Sequence, residues 1–285
     1  MRYGMNVLMW TDTLDDARLP LLDMVKEYGF DTVELPIFDI DAVAECAKWG
    51  KRCDELGLQR TATAVRSNPD ANPASTDPAV RQRGVEENLR NIDCAAAAGA
   101  KTLAGPLHST LGFFSGAGPT ADEWKCAVES MQTAAEHAAK SGVLLGVEYL
   151  NRFECYLLNT AADGARFVKE VDHPSCKMMF DTFHSHIEEK NIPEAIRALS
   201  GCLGHVHISE NDRSTPGAGN VHWDQVFDTL HEIGYDGAMV IEAFGLALPK
   251  LVEPTKIWRR MYQSEEQLAR DGLAFMKTEV AKRWK

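Results

Sequence analysis

Several features are scarce or missing in this sequence, and each absence narrows the possible classes of protein. No apolar run approaches the ~18 residues that a membrane-spanning helix needs. The seven cysteines are odd in number and lack CxxC spacing, so a reduced setting fits better than a disulfide framework. The first residues lack the basic segment and apolar stretch of a signal peptide. We therefore expect a cytoplasmic protein with no membrane partner.

Positive charge is also in short supply. The chain has 30 Lys and Arg residues against 42 Asp and Glu residues, which gives a formal net charge of −12. A field of this sign repels phosphate groups, so we expect no nucleic-acid partner and no anionic membrane surface. A local basic site is still compatible with this net charge.

Eight strand-like segments alternate with helix-like segments along the chain. The strand candidates are residues 3–9, 32–36, 58–65, 101–105, 143–148, 176–181, 203–208 and 237–242. Most are apolar runs between turn residues, as expected for strands that are buried on both faces. Because no linker-like segment interrupts the alternation, we predict an α/β fold with a single (β/α)8 TIM-barrel domain over residues 1–285. A doubly wound open sheet is the alternative, and it would differ in strand order.

Helix boundaries and long loops are marked by characteristic residues. Asp77 and Pro78 predict the start of one helix, and Thr120 with Glu123 predicts a capping box at the start of another. Helix ends are predicted at Gly29, Gly57, Gly99, Gly142 and Gly234. Residues 66–76 and 106–120 form two long loops after strand ends, so we expect them over the barrel mouth, where they would shape substrate access.

Four of the predicted strands end on, or close to, residues that commonly bind metals. These residues are Glu148, Asp181, His207 and Glu242, and they recur at intervals of about one strand-plus-helix unit. In a closed parallel barrel the strand C-termini meet at the active-site mouth, so the four side chains would form a pocket for one divalent metal. Three carboxylates and one imidazole suit Mn²⁺, Mg²⁺ or Co²⁺ better than a structural zinc ion.

A metal in this pocket would have a clear chemical use. Four protein ligands leave two octahedral positions for a sugar carbonyl and the hydroxyl beside it, which eases removal of a proton alpha to the carbonyl. His205 and His207 lie two residues apart on one strand, so their side chains share a face. We assign His207 as the ligand because it is nearer the strand end, and His205 as a packed core histidine.

A set of motifs between residues 143 and 260 points to a known family. The motifs are Glu148-Tyr149-Leu150-Asn151-Arg152-Phe153-Glu154, Leu158-Asn159-Thr160, Asp181-Thr182-Phe183-His184, His205-Val206-His207 with Glu210 and Arg213 after it, Val240-Ile241-Glu242, and Ile257-Trp258-Arg259. Together they resemble the ketose 3-epimerases, the group of D-tagatose, D-psicose (D-allulose) and L-ribulose 3-epimerases within the xylose-isomerase-like TIM barrels. The resemblance covers nearly the whole chain.

The resemblance implies specific roles for the residues of the predicted pocket. It implies one metal ion, usually Mn²⁺, bound by the four strand-end residues. It also implies that Glu148 and Glu242 remove and return a proton at C3 of a free ketose, through an enediolate. It implies a homodimer or homotetramer. The substrate contacts that it implies are Glu154, His184, Arg213 and His108. Glu210 is predicted to orient either His207 or Arg213.

The sequence departs from the family near the expected far end of the substrate. Ser185-His186 and Thr110-Leu111 replace typical family residues, and Asn6 and Val7 stand where several members have tyrosines. These positions are expected to line the distal part of the pocket, so they leave the preferred ketose open. Trp10 agrees with the family and is predicted to be either pocket wall or core.

Other functions are compatible with parts of the pattern. An aldose–ketose or hydroxypyruvate-type isomerase could use the same barrel and metal. An endonuclease for abasic DNA sites would need more histidines at strand ends and a basic surface, and a metabolite sensor would bind ketoses without turnover. The segment Ser214-Thr215-Pro216-Gly217-Ala218-Gly219 follows strand seven, where barrels often bind phosphate, so a phosphorylated sugar is a further alternative.

Overall fold

Eight parallel strands close into a barrel in the computed structural model, which describes residues 1–284. The strands are β1 (Arg2–Asn6), β2 (Thr32–Pro36), β3 (Gln59–Thr63), β4 (Thr102–Gly105), β5 (Leu144–Glu148), β6 (Cys176–Asp181), β7 (Leu203–Ile208) and β8 (Ala238–Ile241). Each strand pairs with the next in the chain, and β1 pairs with β8. The predicted (β/α)8 barrel is confirmed, and the open-sheet alternative is wrong because the strand order never reverses.

Helices follow the strands and surround the barrel. They are α1 (Pro20–Tyr28), α2 (Val43–Leu56), α3 (Pro78–Ala97), α4 (Ala121–Ser141), α5 (Ala161–Val171), α6 (Thr182–Glu188), α7 (Ile192–Ala198), α8 (Trp223–Glu232), α9 (Pro249–Thr255) and α10 (Glu265–Arg283). The Asp77 side chain accepts hydrogen bonds from the first turn of α3, and Thr120 and Glu123 form the predicted capping box of α4. The five predicted helix-end glycines all have positive φ.

The first strand is shorter than the sequence predicted. It ends at Asn6 instead of residue 9, because the Asn6 side-chain oxygen accepts a hydrogen bond from the main-chain N–H of Leu8 at 2.8 Å. This contact starts a 3-10 helix over Val7–Met9, and short polar side chains commonly compete with strand pairing in this way. The turn brings Leu8 to the cavity described below.

The interior is apolar, and both long loops contribute to the barrel mouth. Large buried side chains fill the space between strands and helices, and they include Trp49, Phe30, Phe167, Phe180 and Phe227. Ser67 from one loop and Pro106 and Leu111 from the other line the main cavity, as predicted for loops at strand ends. Within residues 1–284, no helix combines the length and the apolar character that a bilayer crossing requires.

Candidate metal centre and active site

The four predicted metal ligands converge at one end of the barrel. Glu148 and Asp181 are the last residues of β5 and β6, His207 is the second-last residue of β7, and Glu242 follows β8 directly. All four side chains are buried. Glu148, Asp181 and His207 each offer a ligand atom, and these atoms lie within 4.8 Å of one another. Glu242 joins this group through its Oε1, which lies 3.4 Å from Nδ1 of His207.

The two ring nitrogens of His207 face different carboxylates. Nε2 donates a hydrogen bond to Oε1 of Glu34 at 2.5 Å, whereas Nδ1 lies 3.7 Å from Oδ2 of Asp181. Since an ionised carboxylate only accepts hydrogen bonds, the Nε2 contact assigns a hydrogen to Nε2. Nδ1 is buried and has no hydrogen-bond partner within residues 1–284. An unpaired nitrogen that faces two acids fits a metal ligand.

The electrostatics of His207 agree with a site for a cation. Burial opposes a positive charge on the ring, but the carboxylates of Glu34 and Glu242 outweigh burial and raise the pKa of His207 well above its ordinary value. A proton and a metal ion would therefore compete for Nδ1. The donor set of carboxylate oxygens and one imidazole nitrogen suits a hard or borderline divalent cation.

The two acids that were predicted to exchange protons have pKa values that move in opposite directions. Burial, followed by the negative charges of Glu242 and Asp181, raises the pKa of Glu148 well above its ordinary value. Burial also opposes ionisation of Glu242, but the positive charges of Arg213 and His207 outweigh it and lower the pKa of Glu242 to about 2. A carboxyl group that keeps its proton beside one that loses it is typical of an acid/base pair.

One buried acid that the sequence reasoning missed lies beneath His207. Glu34 is in the middle of β2 and is fully buried. Its Oε1 also accepts from Nδ2 of Asn6 at 3.1 Å, and its Oε2 accepts from Oγ1 of Thr61 at 2.8 Å. Nε2 of His205 lies 2.8 Å from Oε2, without the alignment of a hydrogen bond. The available signal was a charged residue inside a strand that is buried on both faces.

Three of the residues predicted to contact substrate line the same cavity as Glu148: Glu154, His184 and Arg213. The main-chain N–H of Asn151 donates to Nδ1 of His184 at 3.1 Å, which leaves the hydrogen of the neutral ring on Nε2. That Nε2 lies 3.4 Å from Oε1 of Glu148. Burial lowers the pKa of His184 to about 3, so the ring is neutral, and Nη2 of Arg213 lies 3.2 Å from the same Nε2.

Arg213 is a buried cation between the carboxylates. Its Nη1 donates to Oδ2 of Asp181 at 3.0 Å and also to Oε2 of Glu242. The guanidinium packs over the ring of Phe183 at 3.9 Å and near the ring of Phe244 at 5.1 Å. The main chain of Arg213 has a φ of 62°, a conformation that costs energy for a residue with a side chain. The surrounding contacts therefore hold Arg213 in one position.

His108 lies elsewhere than predicted. It was expected to contact the substrate, but it is fully buried behind Glu148 and is not among the residues that line the cavity. Its Nε2 donates to the main-chain oxygen of Glu148 at 3.0 Å, and its ring packs edge-on against Phe167. Burial lowers the pKa of His108 to about 4. This placement favours a supporting role behind Glu148 over a direct contact.

Glu210, which was predicted to orient either His207 or Arg213, binds the loop that carries Arg213. Its buried carboxylate accepts hydrogen bonds from the loop that follows β7 and from the first residue of α8. The donors are the main-chain N–H groups of Asn211, Gly217 and Val221 and the indole N–H of Trp223. These hydrogen bonds to the carboxylate hold the loop that carries Arg213. The main-chain oxygen of Glu210 also accepts from the N–H of Arg213.

The polar residues lie at the base of a cavity of about 350 Å³. Its walls are apolar and come from Leu8, Phe38, Val65, Leu111, Phe244, Leu251 and Pro254. Asn6 and Val7, which were expected in the distal wall, are buried and do not line the cavity. Trp10 packs against the core. A cavity with few polar groups at its base is typical of a small-molecule site.

Comparisons with known proteins agree with this geometry. Residues 22–279 match the family model of the xylose isomerase-like TIM barrel. The L-ribulose 3-epimerase of Mesorhizobium japonicum is 33% identical over 278 residues, covering 96% of this chain and 93% of that protein. The D-psicose 3-epimerase of Agrobacterium fabrum is 32% identical over 283 residues, covering 96% and 98%. The D-allulose 3-epimerase of Methylomonas sp., crystallised with D-allulose, superposes with a TM-score of 0.91 at 29% identity, covering 98% and 97%.

Proposed function

Because this chain belongs to the ketose 3-epimerase family of the xylose isomerase-like TIM barrels, we propose that it interconverts free ketoses at C3 with one divalent metal ion. Its relatives carry names of epimerases for L-ribulose and D-psicose. Small ketoses of this kind are the substrates that we propose for this chain, with Mn²⁺ as the metal.

The position of two carboxylates carries the proposal. Glu148 and Glu242 line one cavity, and their strands β5 and β8 are three strands apart around the barrel. The two acids therefore approach a bound sugar from different sides. Epimerisation at C3 removes a proton from one face of the carbon and returns a proton to the other face. Two carboxylates can perform both transfers without turning the enediolate over.

Asp181 and His207 complete the ligand set that we propose for the metal. When bound by these two residues with Glu148 and Glu242, a divalent ion would polarise the carbonyl and the adjacent hydroxyl of a ketose and stabilise negative charge on their oxygens. The free, buried Nδ1 of His207 supports this assignment. We propose that Asp181 and His207 serve as ligands alone, while the two glutamates also carry protons.

The remaining polar residues can hold the sugar in place. The Nε2–H of His184 and the guanidinium of Arg213 offer hydrogen bonds to sugar oxygens, and the carboxyl of Glu154 can accept from a hydroxyl. Among the described residues that line the cavity, Arg213 is the only cation, and Asp181 and Glu242 already pair with it. This charge distribution favours a free sugar over a phosphorylated one.

Two broader expectations belong to the same proposal. All seven cysteines are free thiols, which agrees with a reducing setting such as the cytoplasm. We also propose a homodimer or homotetramer, as the family resemblance implies. Light scattering coupled to size-exclusion chromatography would measure the mass, and a monomer at micromolar concentration would contradict this part of the proposal.

A substrate panel tests the proposed reaction. The protein is treated with a chelator, divided, and incubated with D-fructose, D-tagatose or L-ribulose, with and without added Mn²⁺. We expect C3 epimers of at least one ketose with Mn²⁺ and none without it. Glu148→Gln and Glu242→Gln should each abolish net epimerisation. Aldose products without C3 epimers would instead establish an aldose–ketose isomerase on the same barrel.

A further inference from the structure

The carboxylate of Glu34 is fully buried, which is rare for a charged side chain. It lies in the middle of β2, with no exposed surface, and faces β7 across the barrel interior. Each of its oxygens meets one histidine of β7: Oε1 meets Nε2 of His207 at 2.5 Å, and Oε2 meets Nε2 of His205 at 2.8 Å. Burying a charge without partners is costly, so this carboxylate requires the donors around it.

The group formed by Glu34, His205 and His207 could be mistaken for a second metal site, but its spacing argues against one. A metal ion bound at about 2.1 Å from each ligand atom keeps neighbouring ligand atoms about 3 Å or more apart. The two nitrogen–oxygen contacts of 2.5 and 2.8 Å are shorter than that separation. The contact of His207 with Glu34 also has the alignment of a hydrogen bond, so a hydrogen and not an ion lies between these two side chains.

The geometry points to Glu34 as a positioning residue that holds Nε2 of His207 in a hydrogen bond, so that Nδ1, beside Asp181 and Glu242, is the nitrogen left for the metal. This inference rests on the proposed metal site. A neutral imidazole carries one hydrogen on either nitrogen, and the hydrogen bond at one nitrogen decides which form is present. Partners of this kind commonly set metal affinity, because they fix the orientation and the basicity of the ligand ring.

The neighbours of Glu34 make it a rigid acceptor. Asn6 donates to the same oxygen as His207, and Thr61 donates to the other oxygen. The carboxylate therefore cannot rotate without breaking several contacts at once. The three strands β1, β2 and β3 thus hold the acceptor for a ligand on β7, which explains how a ligand ring on one side of the barrel is oriented from the other.

Glu34→Gln is the substitution that tests this inference. The amide keeps the shape of the side chain but replaces one acceptor oxygen with a donor and removes the charge. If its NH₂ group faced His207, the hydrogen would have to move to Nδ1, where it blocks a metal. If its oxygen faced His207, the hydrogen bond would lose its charge and weaken. Either orientation lowers metal affinity.

The experiment measures Mn²⁺ binding to chelator-treated protein by isothermal titration calorimetry, together with turnover of a ketose across Mn²⁺ concentrations. We expect the Kd of Glu34→Gln for Mn²⁺ to rise about 10- to 100-fold. At saturating Mn²⁺ its turnover should recover most of the wild-type value, because Glu34 touches neither the substrate nor the reacting atoms. Thr61→Val, which removes a donor from the other oxygen of Glu34, should change the Kd much less.

The outcomes separate this inference from the proposed function. Wild-type protein that binds no Mn²⁺ would overturn both. If the wild-type protein binds Mn²⁺ and folded Glu34→Gln binds it with the same Kd, only the role of Glu34 is overturned. A loss of turnover at saturating Mn²⁺, with an unchanged Kd, would have the same consequence. Should Glu34→Gln fail to fold, Glu34→Asp retains the charge but withdraws it from His207. The inference predicts a weaker Kd there too, and a wild-type Kd would overturn it.

Discussion

Replacing Arg213 by methionine should destabilise the metal-free protein, and Mn²⁺ should reverse part of the loss. The methionine side chain retains apolar contact with the rings of Phe183 and Phe244 but removes the charge that pairs with Asp181 and Glu242. Both carboxylates would then lie buried beside each other without their cation. A divalent ion bound by the same carboxylates would replace much of that attraction.

The size of the effect follows from the burial of these groups. Only 8% of the Arg213 side chain is exposed, and its partner Asp181 is fully buried. Removing one partner of a buried ion pair costs about 3–5 kcal/mol, because the other charge remains buried and unpaired. At about 2–4 °C for each kcal/mol, the midpoint of thermal unfolding should fall by roughly 6–20 °C in the presence of a chelator.

Circular dichroism melting of wild type and Arg213→Met, each with chelator and with Mn²⁺, measures both parts of the prediction. Arg66→Met is a matched control, because Arg66 is also buried and pairs with Glu87 at 2.7 Å away from the proposed ligands. Mn²⁺ should reduce the difference in melting temperature between wild type and Arg213→Met. The difference between wild type and Arg66→Met should stay unchanged. Equal melting temperatures of Arg213→Met and wild type in chelator, or a difference that Mn²⁺ does not change, would contradict this role of Arg213.

Two further predictions concern supporting residues. His108 has a pKa of about 4 in the folded protein, below the usual 6.5, so its contribution to stability is complete above pH 6.5 and falls by about 3 kcal/mol towards pH 4. In denaturant titrations, the free energy of unfolding of His108→Asn should depend less on pH than that of wild type. An equally steep pH dependence would contradict this role of His108. Glu210→Gln should raise KM for the ketose more than it lowers kcat, because it disturbs the loop that holds Arg213. Trp223→Phe, which removes one donor to Glu210, should have a smaller effect on KM. Steady-state kinetics that show an unchanged KM for Glu210→Gln would count against this role of Glu210.

Much of the barrel could be predicted from the sequence because its strands are buried on both faces and therefore appear as apolar runs. The exception at β1 has a local cause: the side chain of Asn6 binds the main chain of Leu8, and apolar residues 7–9 turn instead of extending the strand. Apolar character alone does not distinguish a strand from a turn that is equally buried.

Some side-chain placements at the candidate site could be predicted from the sequence and others could not, for physical reasons. The convergence of Glu148, Asp181, His207 and Glu242 could be predicted, because the fold itself brings strand ends together. Glu34 could not be found in this way, since it lies in the middle of a strand and meets His207, 173 positions away, only across the closed barrel. The position of His108 behind Glu148 likewise depends on how the β4 loop packs, which local sequence patterns do not determine.

The fate of hydrogen at C3, when the reaction runs in D₂O, tests the proposed proton transfer most directly. Proton NMR of the epimer formed by the Mn²⁺-loaded enzyme would measure deuterium at each carbon of the sugar. Because carboxyl groups exchange their protons with solvent, the proposed transfer by Glu148 and Glu242 predicts deuterium at C3 of the product and at no other carbon. A C3 epimer that retains hydrogen at C3, or deuterium that enters at C1, would contradict proton transfer by these two carboxylates.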